Sequence, residues 1–133
     1  MLRILTVCIG LVAGSAAAAL EMNSTEKAMA GLMVARMLQN DCKPDVTWAG
    51  QSGATTFYAK NFNTLVAEGH SKSALRKFER HRTKWLQASI DWMEDAGIKL
   101  AGLSREQVRD AGCDWASSIS GTNHPAGRFL KSK

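Results

Sequence analysis

Apolar residues recur along this chain at three- and four-residue intervals, in stretches set apart by Gly, Pro and small polar residues. Met29, Leu32, Met33 and Met37 follow that spacing and predict a helix from about Thr25 to Gln39, opened by Asn23 with Glu26 at the third position and closed at Asn40 ahead of Lys43-Pro44. Methionine on such a face reads as core filler, with an adaptable binding groove as the alternative. Residues 41–53, with Pro44, Gly50 and Gly53, read as a connection carrying a short helical turn near Trp48. Phe57, Tyr58, Phe62, Leu65 and Val66 predict a second helix from about Ala54 to Glu68, ended by Gly69.

The third periodic segment runs through SALRKFERHRTKW to Gly97. On a helical wheel, Ala74, Phe78, Trp85, Ser89, Trp92 and Ala96 form the core stripe, with Leu75, Leu86 and Met93 at its edge. Lys72, Arg76, Lys77, Arg80 and Lys84 fall on the opposite arc, the place where a soluble helix puts charge, and Asp91, Glu94 and Asp95 share that arc further on. Two features go beyond a solvated face. Bases precede acids, the reverse of what the helix dipole favours. Arg82 falls inside the apolar arc, where it needs a partner or a route to solvent along its own stem. Two helices meeting near Arg80 would alter both points.

A fourth helix starts at Ser104, with Gln107 completing a capping box, and places Val108, Ala111, Trp115 and Ile119 on one face. The tail ends in an apolar clamp, Phe129 and Leu130. No alternating run supports a strand. The expected fold is therefore all-α, a small bundle of about four helices.

Composition changes this picture at the N-terminus. One cation, Arg3, precedes a mainly apolar run from Ile4 to Val12 and small residues ending at Ala19, the layout of a cleaved secretory signal, with cleavage after Ala18 or Ala19. The run is too short and lacks the flank for a transmembrane span. The expected organisation is a signal at residues 1–19 and a single helical domain over 20–133, exported to the periplasm or the cell exterior. Export leaves Cys42 and Cys113 as the cysteines of the mature chain, in an oxidising compartment. A disulfide tying helix one to helix four is the default, and closing a loop of about 70 residues would contribute roughly 4 kcal/mol. A metal pair or reactive thiol is the competing reading, without Cys-x-x-Cys or Cys/His spacing to support it.

The net charge of +5 includes Arg3. It favours acidic partners weakly and falls short of the clustered basicity of a nucleic-acid binder, so no nucleic acid is expected. The histidines His70, His81 and His124 have no metal spacing, and neither a metal nor a cofactor is implied. His81 reads as a boundary residue of helix three. Asp110 and Asp114, one turn apart, form either an acid/base or cation pair or, with Glu106 and Arg109 near, a solvated charged face. Ser117, Ser118 and Ser120 lie near His124 in sequence without a nucleophile signature, and read as helix-ending residues. Gly50-Gln51-Ser52-Gly53 lacks the lysine of a phosphate loop, and Asn23-Ser24-Thr25 matches the glycosylation sequon.

The leader, helix one leading to Cys42, the stretch LVAEGHSKSALRKFERHRTKWLQASIDWMEDAGI, Cys113 and the ending AGRFLKSK together resemble a family of small exported helical proteins of Gram-negative bacteria, known as a domain of unknown function. The resemblance implies an exported, disulfide-linked helical domain and brings no catalytic residue with it.

Three functions are compatible with these residues. One is a non-catalytic binding or assembly module of the cell envelope that turns Lys72, Arg76, Lys77, Arg80 and Lys84 toward an acidic envelope protein or an anionic lipid surface. The second is a small periplasmic stress chaperone using the methionines of helix one. The third is a hydrolase built on Asp110 and Asp114, for which no nucleophile, base and orienting group come together.

Overall fold

A computed structural model describes residues 21–49 and 54–133. The expected signal at residues 1–19 lies outside the described residues. Among the described residues five α-helices stand where about four were expected: α1 (Ser24–Asp41), α2 (Ala54–Ala67), α3 (Lys72–Glu79), α4 (Arg82–Asp95) and α5 (Arg105–Ile119). The helical class holds, and among the described residues no helix is long and apolar enough to cross a membrane.

The extra helix comes from a break in the third periodic segment. His81 leaves the helical region, at φ −88° and ψ 66°, so α3 ends at Glu79 and α4 restarts at Arg82. No Gly or Pro stands there to announce it. Tertiary contacts hold the corner, since the Trp85 indole donates to the Glu79 carbonyl at 3.3 Å and both α3 and α4 pack on α1. The break also moves the core register. Leu75, Phe78, Trp85, Ala88, Ser89 and Met93 are buried, whereas Ala74 and Ala96 are exposed and Trp92 is half-buried.

Helix α1 is the centre of the molecule. Every residue from Met29 to Ala35 is buried, which makes it apolar all round where a stripe was expected. The other four helices and the C-terminal segment pack around it. Its start is the expected capping box, Asn23 with Glu26, and Ser104 with Gln107 starts α5 in the same way. Gly69 and Gly97 follow α2 and α4 with positive φ, 102° and 90°, the left-handed backbone that glycine reaches at no steric cost.

The disulfide joins Cys42 and Cys113 with their Cα atoms 5.4 Å apart. Cys42 is the residue that caps α1, just past its end, and Cys113 belongs to the fifth helix. The bridge thus ties the segment after helix one to helix five, in place of the expected link from helix one to helix four.

The connection near Trp48 is extended rather than helical. Val46–Trp48 (β1) pairs antiparallel with Leu130–Ser132 (β2), with Val46 opposite Ser132, Thr47 opposite Lys131 and the Trp48 backbone opposite Leu130. A 3₁₀ turn, Gly127–Phe129, feeds β2. Phe129 and Leu130 are buried, as the expected apolar clamp requires, and Phe129 meets Phe57 of α2 edge-on with ring centroids 6.3 Å apart.

Candidate functional site

The five basic residues singled out in the sequence do not share one helix face, because the break at His81 divides them between α3, its cap Arg80, and α4. All five are exposed. Arg76 is already engaged, its guanidinium lying over the Phe62 ring at 4.8 Å. The break also resolves half of the reversed charge order. Arg76 and Lys77 now lie in the last turn of α3, where the dipole favours them, while α4 still begins with Arg82 and Lys84 and ends in Glu94 and Asp95. Arg82, expected inside the apolar arc, is at the first position of α4 and exposed.

Glu79, the acid among these cations, faces inward and accepts a very short hydrogen bond from the Tyr58 hydroxyl. Burial, and then the Glu79 hydrogen bond and charge, raise the Tyr58 phenol well above its ordinary range, so it remains a donor at every physiological pH. Arg36 of α1 lies over the Tyr58 ring at 5.4 Å, and Tyr58 stacks on Phe62 at 5.8 Å. Neither the cluster nor its short bond was visible in the sequence, whose only signal was the lone acid in a basic run.

Two neighbouring concavities open on α1. The first, about 430 Å³, has Met33, Met37 and Trp85 as its apolar lining and Arg36, Asn40, Asp41 and Arg82 as its polar one. The second, about 300 Å³, lies between α1, α4 and α5 and is mainly apolar, with Met37, Leu86, Ile90, Met93 and Val108 among its walls and Arg105 and Arg109 also lining it. Met37 and Asp41 belong to both. Arg109 is held in place, since its Nε and Nη2 donate to the Asp41 carbonyl at 3.4 and 3.1 Å.

Asp110 and Asp114 are exposed and line a separate recess of about 380 Å³ with Asp41, Asp45, Arg109 and Cys113. No nucleophile joins them there. The Ser118 hydroxyl donates to the Trp115 carbonyl and that of Ser120 to Ala116, bonds that close the helix end and leave His124 out. His124 is instead half-buried between Trp92 and Trp115, edge-on to both at centroid distances of 4.8 and 5.3 Å. Its Nδ1 accepts the Ala126 N–H at 3.1 Å, and burial lowers its pKa. His70 Nδ1 and the Thr25 hydroxyl are hydrogen-bonded at 2.8 Å. His81 is exposed, which suits a boundary residue at the α3–α4 corner.

Among the described residues no three His, Cys, Asp or Glu side chains converge as a metal site. What the surface does offer is positive charge bordering the two concavities on α1, the second of them mainly apolar. No protein-family model, curated protein or solved structure matches the chain.

Proposed function

We propose that the protein is a non-catalytic binding module of the bacterial cell envelope, exported by its N-terminal leader, that docks on an anionic lipid surface through the corner between α3 and α4. One observation carries this reading. Lys77, Arg80, Arg82 and Lys84 stand exposed within residues 77–84, and none forms an ion pair among the described residues, while the acid between them is turned inward to Tyr58. Basic clusters of this density gain about 1 kcal/mol per cation near an anionic membrane, over a range set by the Debye length. The location rests on the leader-like layout of residues 1–19, one cation before an apolar run that ends in small residues. The chaperone alternative needs a methionine surface, and of the helix-one stripe Met29 and Met33 are buried while Met37 is half-buried and lines both concavities.

The test is flotation of the mature oxidised protein with vesicles of phosphatidylcholine, with and without phosphatidylglycerol. Binding to the anionic vesicles alone, weakened by salt and lost on changing Lys77, Arg80 and Lys84 to Glu, is the expected result. Arg76 is left intact because it packs on Phe62. Failure to bind either vesicle overturns lipid docking. Recovery of an acidic envelope protein by the parent and not by the variant would transfer the surface to a protein partner.

A further inference from the structure

We infer that the groove between α1, α4 and α5 is a binding site for a single-chain anionic amphiphile, a long-chain carboxylate being the simplest member of the class. The inference does not require the α3–α4 corner to meet a membrane. The groove, of about 300 Å³, is at the lower end of the range enclosed by small-molecule sites. A dozen residues line it, against the twenty to thirty per side of a stable protein interface. Its walls are unbranched or flexible apolar side chains, Met37, Leu86 and Met93, with Val108 across from them, a lining that adapts to a flexible chain. Ile90, 37% exposed, is one of its walls and is one of two large apolar side chains exposed among the described residues.

Charge selects the headgroup. Arg105 and Arg109 line the groove with Asp41 as its one acid, and Arg109 also borders the neighbouring recess of Asp110 and Asp114. Arg109 has its Nε and Nη2 committed to the Asp41 carbonyl, which fixes the guanidinium and leaves Nη1 for a ligand. Arg105, at the first position of α5, is exposed and makes no ion pair among the described residues. A carboxylate held by two guanidinium groups, with its alkyl chain laid along Met37 and Ile90, satisfies both halves of the site.

The experiment titrates the mature oxidised protein with a dansyl-labelled undecanoate and displaces it with dodecanoate, dodecanol or dodecyltrimethylammonium. The expected result is saturable one-to-one binding displaced by dodecanoate, with the alcohol and the cation weaker by about tenfold or more. Affinity should rise with alkyl length by at most about fourfold per methylene before levelling off. Arg105→Glu should lower dodecanoate affinity about tenfold, and Ile90→Glu should abolish it. Both residues are exposed, and an acid in the first turn of a helix is favourable, so folding is retained and is checked by the thermal midpoint. The Lys77, Arg80 and Lys84 triple reversal should leave dodecanoate affinity unchanged, which separates this site from the membrane-docking corner. The inference is overturned by absence of saturable binding, by equal affinity for carboxylate and alcohol, or by binding that survives Ile90→Glu or is lost in the triple reversal. A concentration-dependent dimer abolished by Ile90→Glu, without dodecanoate binding, would assign the groove to a second copy of the chain and likewise overturn it.

Discussion

A side chain on Gly31, in the middle of α1, would occupy the space held by the backbone carbonyl of Pro125. The C-terminal loop therefore lies directly on the central helix, and this contact needs the absence of a Cβ more than any conformational freedom. Gly31→Ala forces either the loop or the helix to move, at a cost of about 1–3 kcal/mol. Gly112 of α5 supplies the contrast, because an added methyl there meets only the Met93 sulfur at 3.8 Å. Gly112→Ala should be neutral or stabilising by up to about 1 kcal/mol, through helix propensity. Urea unfolding of the two variants beside the parent checks both values.

The same loop is sensitive to pH through His124. Burial between Trp92 and Trp115 holds its folded pKa below the ordinary histidine value, so the unfolded chain binds the proton more readily. The stabilisation is thus present above about pH 6.5 and is lost as the pH falls toward the folded-state pKa. Protonation of Nδ1 would also remove the acceptor of the Ala126 N–H. Unfolding midpoints measured from pH 7.5 to 5 should fall in the parent and fall less in His124→Gln. The ion pair of Glu68 with Arg128 lowers the carboxyl pKa, so its contribution fades only below about pH 4.5 and does not overlap this window.

What the sequence made legible was local. Both capping boxes and the glycines after α2 and α4 act within a few residues, and each was found where its residue types placed it. The cysteine pair was legible because the expected loss of the leader leaves a count of two, but its place in the fold was not, since that depended on the number of helices. The break at His81 carries no Gly or Pro, and what holds it is an indole reaching back to Glu79 from the following helix, together with packing of both helices on α1. The ribbon was hidden for a related reason. Two three-residue strands show no alternation, and all of α2 to α5 lies between them in the sequence.

The candidate site was less legible still. The basic arc was drawn on one continuous wheel and dissolved with the break, leaving exposed cations at a corner. Arg82, expected inside the apolar arc, stands exposed at the start of α4 once the helix breaks, and there it lines the first concavity. The groove itself exists only because α1, α4 and α5 meet there, which no periodicity along one segment can announce.

Tyr58 and Glu79 form a pair that should behave as one unit. Tyr58→Phe removes the donor and leaves a half-buried carboxylate oxygen without its partner, a loss of about 1–2 kcal/mol. Glu79→Gln keeps an acceptor for the phenol but removes the charge that helps raise its pKa. Spectrophotometric titration should therefore show the tyrosine ionising earlier in Glu79→Gln than in the parent. As this is the chain's single tyrosine, the signal is unambiguous.

The last prediction concerns the end of α1, which two ties hold to α5. One is the Cys42–Cys113 bridge, and the other is the Arg109 guanidinium on the Asp41 carbonyl, one residue before Cys42. The bridge encloses a separation of 71 residues, and its removal by Cys42→Ala with Cys113→Ala should lower stability by about 2–5 kcal/mol. Arg109→Ala alone should cost less, about 1 kcal/mol, because its bonds are exposed. The two losses should not add. With the bridge intact, Asp41 stays near α5 whether or not Arg109 holds it; without the bridge, the arginine is the remaining named tie at that point. A double-mutant cycle by urea unfolding should accordingly give a larger Arg109→Ala effect in the cysteine-free background. Hydrogen exchange locates the change, since the amides of Asp45 and Val46 bond to the Cys42 carbonyl and should lose protection first. Equal Arg109→Ala effects in both backgrounds would mean that the two ties act independently.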